Sequence, residues 1–309
     1  MKSNFEQNAE LKFNLTFDFI NSLARLENNQ EIIEHRQEYN LSKDSYIDNW
    51  VKKTRNSLSK EQKNLLHFYF KTEVPIGLGL TKYVYSLYQD NNNLEIEDFL
   101  NKIESIEPVK LVYYLLCYSY QGEKKFDLKL IQKWRSTPNL YEPIKNNFDI
   151  PDADKWHIYK ILSKPEDIKK ELVNFLNQYY QNYYSREKER VFEFLKNYCQ
   201  ENKEEIRDAA FNFLENFFTG NQTIDYNRKI DIFIIYFPEY MDMIDSDENF
   251  CIFSYKYSEF VNKVFSDKNS IEEQAHIFKA MGDQTRLKML QELLTGTRYM
   301  TELAEKLDV

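Results

Sequence analysis

A predominantly helical α+β fold follows from three observations in this 309-residue chain. Glycine and proline number only 6 and 7, too few for a turn-dense β sandwich or a glycine-rich nucleotide fold. From about residue 42 to residue 218, apolar residues recur at helical spacing behind recognisable helix-start chemistry. Only three segments carry the pattern of strands. The expected architecture is a large helical N-terminal domain over residues 1–268 with a small antiparallel sheet, followed by a segment of three short helices over residues 269–309.

The elements are justified in order along the chain. Leu11, Phe13, Leu15 and Phe17 alternate with polar residues at period two, the pattern of a half-buried strand; Phe19, Ile20, Leu23 and Leu26 then take up helical spacing, so strand passes to helix around Asp18. Pro75 to Leu80, PIGLGL, lacks the lysine and hydroxyl of a phosphate loop and reads as a turn leading into a helix. Ser59 stands three residues before Gln62, a capping box in which each side chain satisfies the other's backbone N–H. Pro108 suits a first helical turn, where its missing N–H has no partner. Ser163, Pro165 and Glu166 open a long helix with Ile168, Leu172, Phe175, Leu176 and Tyr179 on one face, which the run Ser185 to Arg190 continues or briefly interrupts. A further helix from about Glu204 carries Ile206, Phe213, Leu214 and Phe217, with Gly220 as its C′ residue. Ile230 to Phe237 and Asn249 to Tyr257 are β-branched and aromatic runs, two strands separated by an acidic loop too long for a tight hairpin. The polar run Ser266 to Ser270 marks a boundary.

Charge and cysteine usage limit the function classes. Subtracting 50 acidic from 41 basic residues leaves a net charge of -9, so the chain as a whole repels phosphate backbones and anionic membranes, and any DNA contact must be local. The N-terminus has no apolar signal-peptide region, and the mean hydropathy is -0.68; a cytoplasmic protein without a membrane partner is expected. Three well-separated cysteines, Cys117, Cys199 and Cys251, form neither a disulfide framework nor a thiolate cluster. The Asn-x-Thr sequons at Asn14 and Asn221 are incidental in such a chain.

No phosphate loop, H-E-x-x-H, G-x-S-x-G or dinucleotide fingerprint occurs, and the four histidines have no His or Cys neighbour at metal-site spacing; no catalytic, metal or cofactor site is expected, and the chain does not read as an enzyme. Tyrosines cluster in Val112 to Tyr120 and Gln178 to Tyr184. Tyr113, Tyr114, Tyr118, Tyr179 and Tyr183 are therefore candidates for lining a pocket for a flat or cationic effector, with core packing as the competing explanation. The acidic pairs Asp242 with Asp245 and Asp152 with Asp154 suit solvated loops better than a calcium loop.

The last forty residues have a different grammar. Ser270 and Glu273 form a capping box ahead of Ala275, Ile277, Phe278 and Met281; Gly282 ends that helix, Asp283 caps a second bearing Leu287, Leu290 and Leu294, and Thr301 caps a third with Leu303 and Leu307. Ile277 to Val309, IFKAMGDQTRLKMLQELLTGTRYMTELAEKLDV, resembles the opening of the arsenic-repressor (ArsR) type winged-helix domain, matching at Phe278, Lys279, Ala280, Gly282, Asp283, Thr285, Arg286, Leu287, Lys288, Leu290, Glu302, Leu303, Ala304, Leu307 and Val309. Gln284 replaces the usual proline and Asp308 the usual turn glycine. The strand-then-helix start, the helical middle and the two late strands are similar to the large N-terminal regions of some bacterial regulators of this family.

The resemblance implies a transcription regulator acting on double-stranded DNA as a homodimer, with the N-terminal domain receiving a small-molecule effector or mediating dimerisation. Arg286, Arg298 and Thr301 are the candidate phosphate contacts. The positions of the metal-sensing C-x-C pair are Tyr299 and Thr301, so soft-metal sensing there is not expected. Val309 falls in the turn before the recognition helix, which makes a truncated DNA-binding domain the expectation. The alternative is a ligand-binding or protein-interaction module with a non-functional helix-turn-helix remnant.

Overall fold

The computed structural model describes residues 2–72, 74–120, 122, 124–217 and 224–267. The chain divides into two units, Met1–Ser258 and Glu259–Val309, and only residues 259–267 of the second are described. The capping box at Ser270, the helices expected after it, and Arg286, Arg298 and Thr301 lie outside the described residues, as does Gly220.

A short helix α1 (Lys2–Asn8), not anticipated from the sequence, leads into strand β1 (Ala9–Phe13) and then helix α2 (Leu15–Glu27). The strand is shorter than the alternation from Leu11 to Phe17 suggests. Asn14 decides this: its extended backbone ends the strand, and its side chain accepts the N–H of Thr16, an N-cap that commits Leu15 and Phe17 to the helix. Every residue from Leu15 to Leu26 is buried, so α2 is a central helix, and its polar members must find partners inside the protein.

Around α2 lie α3 (Asn29–Glu38), α4 (Ser45–Ser57, capped by Asp44), α5 (Lys60–Phe70), α6 (Leu80–Asp90), α7 (Ile96–Ser105) and α8 (Pro108–Leu116). The Ser59–Gln62 box caps α5, Pro108 occupies the first turn of α8, and PIGLGL becomes a 3-10 turn, Ile76–Gly79, leading into α6. Helices α9 (Leu128–Arg135), α10 (Tyr141–Asn147), α11 (Asp152–Ser163) and α12 (Pro165–Asn182) follow. A 3-10 turn, Tyr184–Arg186, interrupts the chain before α13 (Lys188–Glu201) and α14 (Lys203–Phe217).

Strands β2 (Ile230–Ile235), β3 (Asp242–Asp245) and β4 (Phe250–Ser254) complete a sheet of order β1-β2-β4-β3. It is mixed, which corrects the antiparallel expectation. β1 runs parallel to β2 (Ala9 opposite Ile230, Phe13 opposite Ile234) and β2 parallel to β4 (Asp231 opposite Phe250), while β3 alone is antiparallel, to β4. The acidic loop supplies β3, so the chain returns and places β4 beside β2 in the same direction. All residues of β2 and β4 are buried, as expected of parallel strands covered on both faces. Phe17 of α2 packs on Phe233 of β2 with ring centroids 4.3 Å apart, which joins sheet and helices in one core. Helix α15 (Tyr257–Asp267) carries the chain from the first unit into the second.

Candidate functional site

Ligands of open parallel sheets bind beyond the carboxyl ends of the strands. Here β1, β2 and β4 end together, delivering Asp18, the segment Tyr236–Glu239, and Tyr255–Lys256 to one region. Asp18 is fully buried; one carboxylate oxygen accepts the N–H groups of Tyr236 and Phe237 at 2.6 and 3.0 Å, and the other accepts the Tyr184 hydroxyl at 2.7 Å. Burial pushes its pKa up to about 6, against the pull of those hydrogen bonds. This carboxyl is saturated, so it ties α2 to the end of β2.

Beside it lies a network of charges. Arg25 of α2 and Glu239 after β2 are both fully buried, with Nη2 of Arg25 3.1 Å from the glutamate and 3.2 Å from Asp48. Nη1 donates to Asn29 at 2.5 Å. Arg36 lies 3.0 and 3.1 Å from the two Asp48 oxygens and 3.5 Å from Glu239. The second oxygen of Glu239 also accepts the Asp44 N–H at 3.1 Å and the Lys256 ammonium at 3.3 Å, and Tyr255 donates to Asp44 at 2.8 Å. Burial lowers the Arg25 pKa, opposed by Glu239. Burial also works against the Arg36 charge, but Asp48 and Glu239 outweigh it and its pKa rises. Three cations, Arg25, Arg36 and Lys256, meet two carboxylates, Asp48 and Glu239, while Asp44 joins through Tyr255; Nε of Arg25 has no hydrogen-bond partner.

Arg25 lines a cavity of about 270 Å³. Its lining includes buried Ala24, Arg25 and Pro238, half-buried Ile32, Leu78, Tyr240 and Met241, and exposed Glu31, His35, Thr72 and Asp242. Thr72 donates its hydroxyl to Glu31. Sequence reading missed this site. Its one local signal is a charged Arg25 inside the apolar stretch Phe19 to Leu26.

The five tyrosines singled out in the sequence fall into more than one place: Tyr113 meets Tyr114 at 5.2 Å and Tyr179 meets Tyr183 at 6.0 Å. Tyr179 is buried, stacks on Phe19 at 5.6 Å and shares a 2.7 Å hydrogen bond with Ser22. Tyr183 donates to the Ser57 carbonyl at 3.2 Å and lines a second cavity, of about 510 Å³, with Trp50, Lys53 and Arg186. Tyr114 packs against Tyr83 at 4.8 Å, and Tyr113 stacks on Phe126 at 5.8 Å. Tyr118 donates to Asp245 at 2.9 Å, and Lys82 lies 2.9 Å from the same oxygen.

Other chemistry-bearing groups are engaged. Asp154 pairs with Lys71, and Asp152 with Lys155 at 2.9 Å. Burial pushes the Cys117 and Cys199 thiols up to about 12 and raises Cys251 as well, so all three stay protonated at neutral pH. Among the described residues, no group of three or more His, Cys, Asp or Glu is placed to hold a metal ion, and no helix is long and apolar enough to cross a membrane. Comparisons with family models, curated proteins and solved structures find no match to this chain.

Proposed function

We propose that the chain is an effector-responsive transcription regulator of ArsR type, cytoplasmic and homodimeric, in which Met1–Ser258 receives a small molecule and Ile277–Val309 belongs to the element that meets double-stranded DNA. The observation that carries the reading is the position of the Arg25–Glu239 network. It borders a cavity on one side, and on the other it holds Tyr255 and Lys256, the residues immediately before the helix that leaves the first unit. An occupant of the cavity changes the surroundings of Arg25, and Glu239 bonds both Arg25 and Lys256. Coupling of this kind requires an effector that favours one arrangement of the network over another.

The test is selection from a random duplex library by the full-length gene product. Enrichment of a motif with two half-sites, recovered in a salt-sensitive manner, supports the proposal. Uniform recovery overturns it. A second reading rests on charge: from Ile271 to Val309 five basic residues face seven acidic ones, a net of -2. Under that reading the segment is a packing element of a ligand-binding or protein-interaction module, and the library gives no enrichment at any salt concentration.

A further inference from the structure

We propose that the cavity lined by α4 and the turn after α12 binds a small organic anion, a carboxylate or a phosphate monoester. It shares no lining residue with the cavity beside Arg25, and the inference requires neither the DNA element nor the regulator reading.

Charge is the first observation. The cavity, of about 510 Å³, is lined by two cations, Lys53 of α4 and Arg186 of the 3-10 turn. Among the described residues neither forms an ion pair or a side-chain hydrogen bond. The carboxylate in the lining, Glu187, already accepts the Tyr46 hydroxyl. It is half-buried, and burial raises its pKa against the pull of Lys53. Uncommitted positive charge therefore exceeds uncommitted negative charge here, in a chain whose net charge is -9. An entering anion meets two unmatched opposite charges.

The second observation is spare hydrogen-bonding capacity. Thr54 is only 4% exposed, yet its hydroxyl is in no hydrogen bond, and the carboxamide of Asn182 is free as well. Both residues line the cavity, and both can donate to anionic oxygens. Carbonyls at helix C-termini repel anions. Of those closing α4 and α12, the Thr54 carbonyl already accepts the Leu58 N–H and the Ser57 hydroxyl, the Ser57 carbonyl accepts the Tyr183 hydroxyl, and the Tyr179 carbonyl accepts the Tyr183 N–H.

The third is size. At about 510 Å³ the cavity falls within the usual ~300–1,000 Å³ of small-molecule sites, and an inorganic ion, filling the space of a few waters at ~30 Å³ each, would leave most of it empty. Trp50, stacked on Phe237 at 3.9 Å, and Tyr183, held by its bond to Ser57, supply fixed aromatic wall for a carbon body.

The experiment is calorimetric titration of the full chain with benzoate, phenyl phosphate, acetate, inorganic phosphate and benzylamine. Benzoate or phenyl phosphate is expected to bind, more tightly than acetate or inorganic phosphate, and to weaken as salt rises. Lys53→Gln and Arg186→Gln, at exposed positions, should each reduce affinity by about tenfold, while Lys129→Gln on α9, outside the lining, leaves it unchanged. Thermal unfolding of the three variants checks that they fold. The inference is overturned if neither organic anion binds at millimolar concentration, if the three variants act alike, or if benzylamine binds and Lys53→Gln tightens it. Inorganic phosphate binding as tightly as phenyl phosphate also overturns it, since the aromatic wall would then have no role.

Discussion

Asp18 accepts three hydrogen bonds with no exposed surface, and its behaviour with pH follows from that position. Its carboxyl is raised from 3.8 to about 6, so between those values the folded protein holds more protons than the unfolded one. The contribution of this group to stability is therefore greatest below pH 3.8 and declines as pH rises through 6. Asp18→Asn should flatten that part of the stability profile while keeping the fold, because its carbonyl still accepts the Tyr236 and Phe237 N–H groups. The Tyr184 hydroxyl can then turn to the Leu15 carbonyl, 3.3 Å away. Asp18→Ala leaves both N–H groups buried without an acceptor and should cost ~2–5 kcal/mol. Urea unfolding of the three proteins from pH 4 to pH 8 measures both effects. Equal slopes for wild type and Asp18→Asn would show that another group titrates. Neither Asp18 nor the Arg25–Glu239 pair stood out as a site in the sequence, since Tyr236 lies 218 residues from Asp18 and Glu239 lies 214 from Arg25.

At the scale of elements, local chemistry was readable wherever both partners lie within one turn. The Ser59–Gln62 box and the prolines opening α8 and α12 needed nothing beyond neighbouring residues. Gly79 depends on a distant one. Its backbone, at φ -60, suits any residue, but a Cβ there would overlap the carbonyl of Tyr114 on α8. Gly79→Ala should therefore destabilise the protein by about 1–3 kcal/mol, although alanine is the better helix former by about 1 kcal/mol. A thermal melt decides which term wins. An unchanged or raised midpoint would mean that α8 can shift away.

For the whole molecule, the deciding contact joins the two ends of the first unit. β1 pairs with β2 across the entire helical region, a contact whose loop-closure entropy must be met before it stabilises anything. Deleting residues 2–13 removes α1 and β1 and leaves the apolar β2, buried along its whole length in the intact protein, as an unprotected edge. The truncated chain should lose its cooperative thermal transition and its near-ultraviolet circular dichroism, and it should associate in size-exclusion chromatography. A monomer with the wild-type midpoint would show that the sheet stands without its first strand.

Composition and local periodicity determined the helical excess, most of the helices, the two buried strands and several caps, because each is specified by residues a few positions apart. Tertiary structure alone decided the rest. Asn14 ended β1 early because its cap on Thr16 is reinforced by a hydrogen bond to the Leu94 carbonyl. The direction of β4 was set by the intervening β3. The surroundings of the tyrosines were set by ring partners such as Phe19 and Phe126, which come from other elements. The polar region at the strand ends was hidden for the same physical reason: a charge is retained in a core only when a distant segment brings its counter-charge, and short-range pattern carries no record of that meeting.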